Sequence, residues 1–227
     1  MSHFLRIAGA VASRDLKIAF RSGGGWFYAL FFFAVFTALA AIAFGPQLSA
    51  LSAVAPATLW LAAALAVQFA AADIFESDLR DGSLRTFAAE QGGLFHYCLA
   101  KACVLGATAA APMIIASPFF LAMLGVPFGQ GVIAALLLAI GAPALMMIAL
   151  LTAALAGGLR AGGLLATIIA APFAAPVLVF GVSATKTSLA ASGAGGGPET
   201  LILGALSLFM AAVTPAFAIA ALRISLE

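Results

Sequence analysis

The chain has 227 residues, of which 65% are hydrophobic and only 8% charged, with a formal net charge of +2 and a mean hydropathy of +1.20. Soluble proteins carry about a quarter charged residues, so a water-soluble domain is excluded. The length accommodates about six membrane spans of ~20–25 residues with short connections, and leaves no room for a separate soluble enzyme domain.

Residues 2–21 read as an amphipathic helix lying in the membrane interface. At about 100° per residue, Arg6, Ser13, Arg14, Lys17 and Arg21 fall in one arc of roughly a third of the circumference. Phe4, Ile7, Val11, Leu16, Ile18 and Phe20 cover the remainder, and Asp15 is the one violation. A secretory signal is the competing reading, because Ala38-Leu39-Ala40 mimics a cleavage site. The preceding polar region is too long for one, and the apolar run that follows is of spanning rather than signal length.

Six spans follow in order: 26–44, 56–72, 99–124, 132–156, 164–183 and 200–222. Trp26 and Tyr28 suit the interface at the start of the first, which Gly45-Pro46 ends. Gly125-Val126-Pro127 joins spans three and four, and a Gly-rich turn around Arg160 joins four and five. Residues 184–199 read as a Gly/Ser/Ala-rich loop containing Lys186 and Glu199. Pro112, Pro118, Pro143, Pro172 and Pro176 each remove a backbone donor inside a span, which neighbouring helices or water must compensate.

The segment 73–98, between spans two and three, interrupts this apolar series. From Asp73 to Lys101 the chain holds five of its eight acidic residues and three of its ten basic ones. Such a density of charge cannot lie in hydrocarbon. Ser77 can cap a short helix over 78–81, with Asp78 in its first turn where the helix dipole favours an anion. Asp81-Gly82-Ser83 is a turn signal, and Ser83 can cap a second helix through Glu90, which Gly92-Gly93 ends. The expected result is a helix–turn–helix elbow presenting Asp78, Arg80, Asp81 and Arg85 to solvent, with Leu79, Leu84 and Phe87 available to plug an apolar cleft on a partner.

Six spans place the N-terminal helix, the elbow, the Arg160 turn and the C-terminal tail on one side. That side carries nine of the ten Lys and Arg, with Lys186 alone opposite. The excess of basic residues on the inner side of membrane proteins predicts that both termini and the elbow are cytoplasmic.

No span carries an ionisable residue near its midpoint, which argues against a proton-coupled transporter or ion pump. No G-x-x-x-x-G-K-[ST] run is present to cradle nucleotide phosphates. Cys98 and Cys103, five residues apart with no His cluster, read as small apolar helix residues rather than a metal or redox site. His3 and His96 read as interfacial or solvated, and neither a Ser with a His or Lys nor a pair of Asp stands at mid-depth to hydrolyse a bond. An intramembrane enzyme is therefore disfavoured.

The elbow's sequence resembles that of a known family, heme exporter protein B of cytochrome c maturation (CcmB). The resemblance rests most on Asp73-Ile74-Phe75, Asp78 and Asp81-Gly82-Ser83-Leu84. It extends to Phe31-Phe32-Phe33, Ala55-Pro56, Leu59-Trp60, Leu99-Ala100-Lys101, Pro112, Ser117-Pro118, Gly158-Leu159-Arg160, Gly162-Gly163, Pro172, Pro176 and Phe180-Gly181. Arg85 stands where the family usually has an acidic residue, and Leu105-Gly106 where it has a His-Trp pair.

The resemblance implies an all-α membrane protein similar to ABC-2-type permeases, with an interfacial N-terminal helix, six spans and a cytoplasmic coupling helix. It further implies a non-catalytic permease subunit, expected in two copies in the bacterial inner membrane. A separate CcmA-like ATPase subunit would bind ATP with magnesium, alongside CcmC- and CcmD-like subunits. The complex would handle heme, and hydrolysis would release a heme-loaded CcmE-like chaperone on the periplasmic side. The ATPase-coupling interface is then expected at Asp78, Arg80, Asp81, Gly82, Ser83, Leu84, Arg85 and Phe87. By topology alone, an ABC-2-type exporter of another lipid, drug or polysaccharide fits equally.

Overall fold

The computed structural model describes residues 9, 12–17, 24–89, 92–158, 162–191 and 197–226, and among them every regular element is helical. The elements are α1 (Gly24–Phe44), α2 (Leu48–Ala71), α3 (Glu76–Arg80), α4 (Ser83–Ala89) and α5 (Gly93–Leu105). A π-helical turn (Gly106–Ala110) then leads into α6 (Ala111–Met123), followed by α7 (Phe128–Gly158), α8 (Gly162–Ala190) and α9 (Pro198–Leu226). Among the described residues, six stretches are long and apolar enough to cross a membrane. Residues 12–17 are helical, with Arg14 and Lys17 exposed and Asp15 half-buried. Arg6, Arg21 and most of the apolar face predicted for residues 2–21 lie outside the described residues, as does Arg160.

Several helices run longer than their sequence signals. The second begins at Leu48 rather than Pro56, the third at Gly93 rather than Leu99, and α8 continues to Ala190 through the front half of the expected 184–199 loop. The physical reason is common to all three. An unpaired backbone group in a lipid-facing layer costs several kcal/mol, roughly, so polar or proline residues that would start a loop in water are carried inside the helix instead. Pro56 is accommodated within α2 in this way. At Pro112 the missing donor has a visible effect. The helix widens just before it, so that the Ala111 N–H reaches back five residues to the Gly106 carbonyl, a π-type insertion.

The bundle is arranged about α7, which packs against α9, α8 and α6, while α2 joins α1 to α7 and α8. Small residues allow these approaches: Ala55, Ala62, Ala63 and Ala66 of α2 and Ala134, Ala144, Ala149 and Ala154 of α7 are buried. Between helices in lipid, close packing and hydrogen bonds supply the attraction that water would otherwise drive. Trp60 is the tightest case. Its ring fills a notch floored by Gly141 and Gly181, where a Cβ would lie 2.4 Å and 2.5 Å from ring atoms. Its indole N–H donates to Thr185 Oγ1 at 2.9 Å, and that hydroxyl donates to the Gly181 carbonyl at 2.9 Å. Ser207 likewise ties α9 to the Ile140 carbonyl of α7 at 2.6 Å. The outward surfaces of α1 and α9 carry Phe27, Phe31, Leu39, Ile42, Leu201, Leu208 and Phe217, the composition of a lipid-facing side.

Candidate functional site

After α2 ends at Ala71 the chain turns through Asp73–Phe75 into α3, a single turn of helix, and reverses at Gly82 into α4. Gly82 has φ +75°, a left-handed conformation that other residues adopt only with strain. The Asp81 carboxylate accepts the Ser83 N–H at 2.9 Å. Asp81, rather than Ser83, therefore caps the second helix, and hydrogen bonds from the Ser83 side chain and backbone hold its carboxyl below the ordinary value. The chain leaves the elbow at Gly92, again left-handed at φ +76°, and enters α5. His96, half-buried on the first turn of α5, places Nδ1 2.9 Å from the Gly92 carbonyl.

The two faces of the elbow differ sharply. Arg80, Asp81, Arg85, Ser77 and Thr86 are exposed, and Gly82 and Ser83 are half-buried. Arg80 pairs with Glu76 one helical turn away, with both side chains largely in solvent. On the inner face, Leu84 is fully buried within the chain's own core. Phe87 is half-buried and stacks on Tyr97, ring centroids 5.1 Å apart, and Leu79 reaches Gly157 at the end of α7. Leu84 is thus not offered to a partner cleft as expected. A leucine in a seven-residue helix can satisfy only one apolar surface, and α5 supplies it.

Asp78 is the larger correction. It was expected at the solvent face, yet its side chain is 1% exposed. Arg14 Nη2 donates to Oδ1 at 2.7 Å, the Tyr97 hydroxyl donates to Oδ2 at 2.6 Å, and Lys101 Nζ lies 2.6 Å from Oδ2. Lys101, itself 3% exposed, also donates to Asp15 Oδ2 at 2.7 Å. Arg14 closes the circuit on Asp15 Oδ1 at 2.9 Å. Its guanidinium is held above its ordinary value, chiefly by the hydrogen bond to Asp78, against the opposing effect of burial. Lys101 also sits 5.4 Å from the centroid of the Tyr97 ring. Four alternating charges thus form a closed ring contributed by three segments of chain.

Sequence reasoning did not assign Tyr97, Lys101, Arg14 and Asp15 to this site, although signals were present. Lys101 stands in an apolar helical run, where a cation needs a carboxylate. Tyr97 precedes it by one helical turn and so shares its face. Asp15 was the violation in the amphipathic arc of residues 2–21, and its partner is Lys101.

Beside the elbow, a cavity of about 710 Å³ opens between α2 and α7, with Gln68, Phe69 and Thr152 in its wall and Asp73, Glu76 and Arg80 at its polar end. Among the described residues no three His, Cys, Asp or Glu side chains stand close enough to share a metal ion.

Helices and elbow together define a multi-pass α-helical membrane protein, with a structured polar elbow between its second and third spans. Residues 6–225 match the CcmB protein family, and the chain belongs to it. It is 38% identical over 219 residues to heme exporter protein B of Bradyrhizobium diazoefficiens, covering 96% of this chain and 98% of the relative. The corresponding protein of Paracoccus denitrificans is 36% identical over 221 residues, 96% and 99% of the two chains. That of Escherichia coli K12 is 32% identical over 213 residues, 94% and 96%.

Proposed function

We propose that this chain is the permease subunit of a heme-export complex for cytochrome c maturation. In this reading the elbow is the cytoplasmic contact for a separate, CcmA-like ATP-hydrolysing subunit. The observation that carries it is the two-sidedness of the elbow: its inner face is bonded into the membrane bundle while Ser77, Arg80, Asp81, Arg85 and Thr86 face outward. A segment built to receive force from outside and pass it inward has this form. Membership of the CcmB family and the names of the relatives support heme as the cargo. The imbalance of Lys and Arg supports cytoplasmic termini in a bacterial inner membrane. Two copies of the chain, with CcmC- and CcmD-like subunits and a CcmE-like heme chaperone, complete the proposed assembly. ATP with magnesium belongs to the partner subunit, and this chain's share is mechanical.

The docking contact is revised from the sequence expectation. Asp78 and Leu84 act from within, and the outward set of Arg80, Asp81 and Arg85 meets the partner through charge. Reversing Arg80 and Arg85 to Glu is expected to reduce recovery of the ATP-hydrolysing subunit with the affinity-purified chain and to lower c-type cytochrome yield, at normal levels of the chain in the membrane. Like charges brought together at an interface cost several kcal/mol, roughly. Full recovery of the subunit with the doubly reversed chain would place the contact elsewhere.

A further inference from the structure

The four-charge ring occupies a place where solvent does little to soften its rupture. Asp78 and Lys101 are 1% and 3% exposed and Asp15 12%, while Arg14, at 47%, is the one member well reached by water. Each cation touches both carboxylates and each carboxylate touches both cations. Sliding any one of the three segments by a few ångströms would separate opposite charges in a region of low dielectric. The arrangement resists graded deformation, so the N-terminal stretch, the elbow and the start of the third span are compelled to move together. Immediately beyond, at Gly106–Ala110, the third span contains its π-turn, a widened turn of the kind frequent at functional sites.

We propose that this ring is a latch that transmits displacement of the elbow into the third span, with Lys101 and Asp15 as positioning residues and the π-turn as the point where the span bends. The inference rests on the reading of the elbow as a coupling element and deepens it. Tyr97 has a supporting part. Its hydroxyl holds Asp78 from α5 while its ring stacks on Phe87 of α4, so the two helices of the elbow meet the span through one side chain.

The test uses the intact complex in membranes. The paired replacement Asp15→Asn with Lys101→Met removes one anion and one cation, leaving Asp78 with Arg14 and Tyr97, so that no buried charge is stranded. Four quantities are read: the level of the chain, recovery of the ATP-hydrolysing subunit, its hydrolysis rate, and the yield of heme-stained c-type cytochrome. The expected result is normal chain level, subunit recovery and hydrolysis, with cytochrome formed per ATP hydrolysed falling by about fivefold or more. Lys101→Arg, which keeps the charge and its reach, is expected to retain the ratio of the unaltered chain. An unchanged ratio in the paired variant would overturn the latch. So would a loss of cytochrome that merely follows loss of the chain, or an equal defect in Lys101→Arg. The underlying reading is judged separately, without any variant: if the unaltered chain recovers no ATP-hydrolysing subunit, or if deleting the chain leaves c-type cytochromes normal, the coupling role fails and the latch with it.

Discussion

Trp60 and Asp78 are both buried where three segments of chain meet, and they are held by opposite means. Trp60 is gripped by shape. Its ring lies in a notch that exists because Gly141 and Gly181 have no side chains, and a single neutral hydrogen bond to Thr185 sets its orientation. Asp78 is gripped by charge, through Arg14, Lys101 and the Tyr97 hydroxyl. The neutral knot is built for the interior of the bundle, where dense packing substitutes for the missing hydrophobic drive. The charged knot stands at the margin of the bundle, where the chain passes from apolar span to polar elbow. A shape lock is intolerant of added volume, and a charge lock is intolerant of a missing partner. The difference separates the part of the molecule that must stay put from the part proposed to receive force.

The largest effect is expected from stranding a charge. Asp78→Ala leaves Lys101 buried with only Asp15 and should destabilise the folded chain by about 3–5 kcal/mol, as for other broken buried pairs. Unfolding of the purified protein in detergent, followed by helical signal, measures it. A cost no greater than that of an exposed pair would show that the ring does not hold the elbow. Adding volume to the neutral knot comes next. Gly181→Ala and Gly141→Ala should each cost about 1–3 kcal/mol by crowding the Trp60 ring. The comparison sharpens if Trp60→Leu, which vacates the notch, makes the added methyl nearly neutral in the double variant. Additive losses would mean the glycines serve the backbone instead. The smallest effect belongs to the exposed pair on the same elbow. Arg80 is 77% exposed in its contact with Glu76, and Arg80→Ala should change stability by less than about 1 kcal/mol. Its consequence is expected in partner recovery, not in unfolding.

The elbow's place in the chain was legible because charge and hydropathy are local properties. Asp73, Glu76, Asp78 and Asp81 crowd together between apolar runs, and Asp81-Gly82-Ser83 announces the reversal that Gly82 makes. What each of those charges does was not legible. Asp78 and Arg80 are two residues apart in a five-residue helix, and nothing in their types says which is buried. The decision comes from Tyr97 and Lys101, one turn apart on α5, and from Arg14, more than sixty residues earlier. Leu84 is ambiguous in the sequence for a related reason. A leucine beside charges fits a partner's cleft and the chain's own core equally well until the third span is placed behind it.

Composition and periodicity by themselves determined that the chain is an all-helical membrane protein, that its apolar runs suffice for six crossings, and that its polar connection lies between the second and third. Those are consequences of the cost of exposing backbone and charge to lipid, which each segment meets on its own. Tertiary structure alone decided which residues of the elbow face inward, that Trp60 rests on glycines 81 and 121 positions later, and that Arg14, Asp15, Asp78 and Lys101 close into one ring. Such contacts join segments far apart in the chain. Their energies depend on distances of a few ångströms and on the exclusion of water, neither of which exists until the helices have packed.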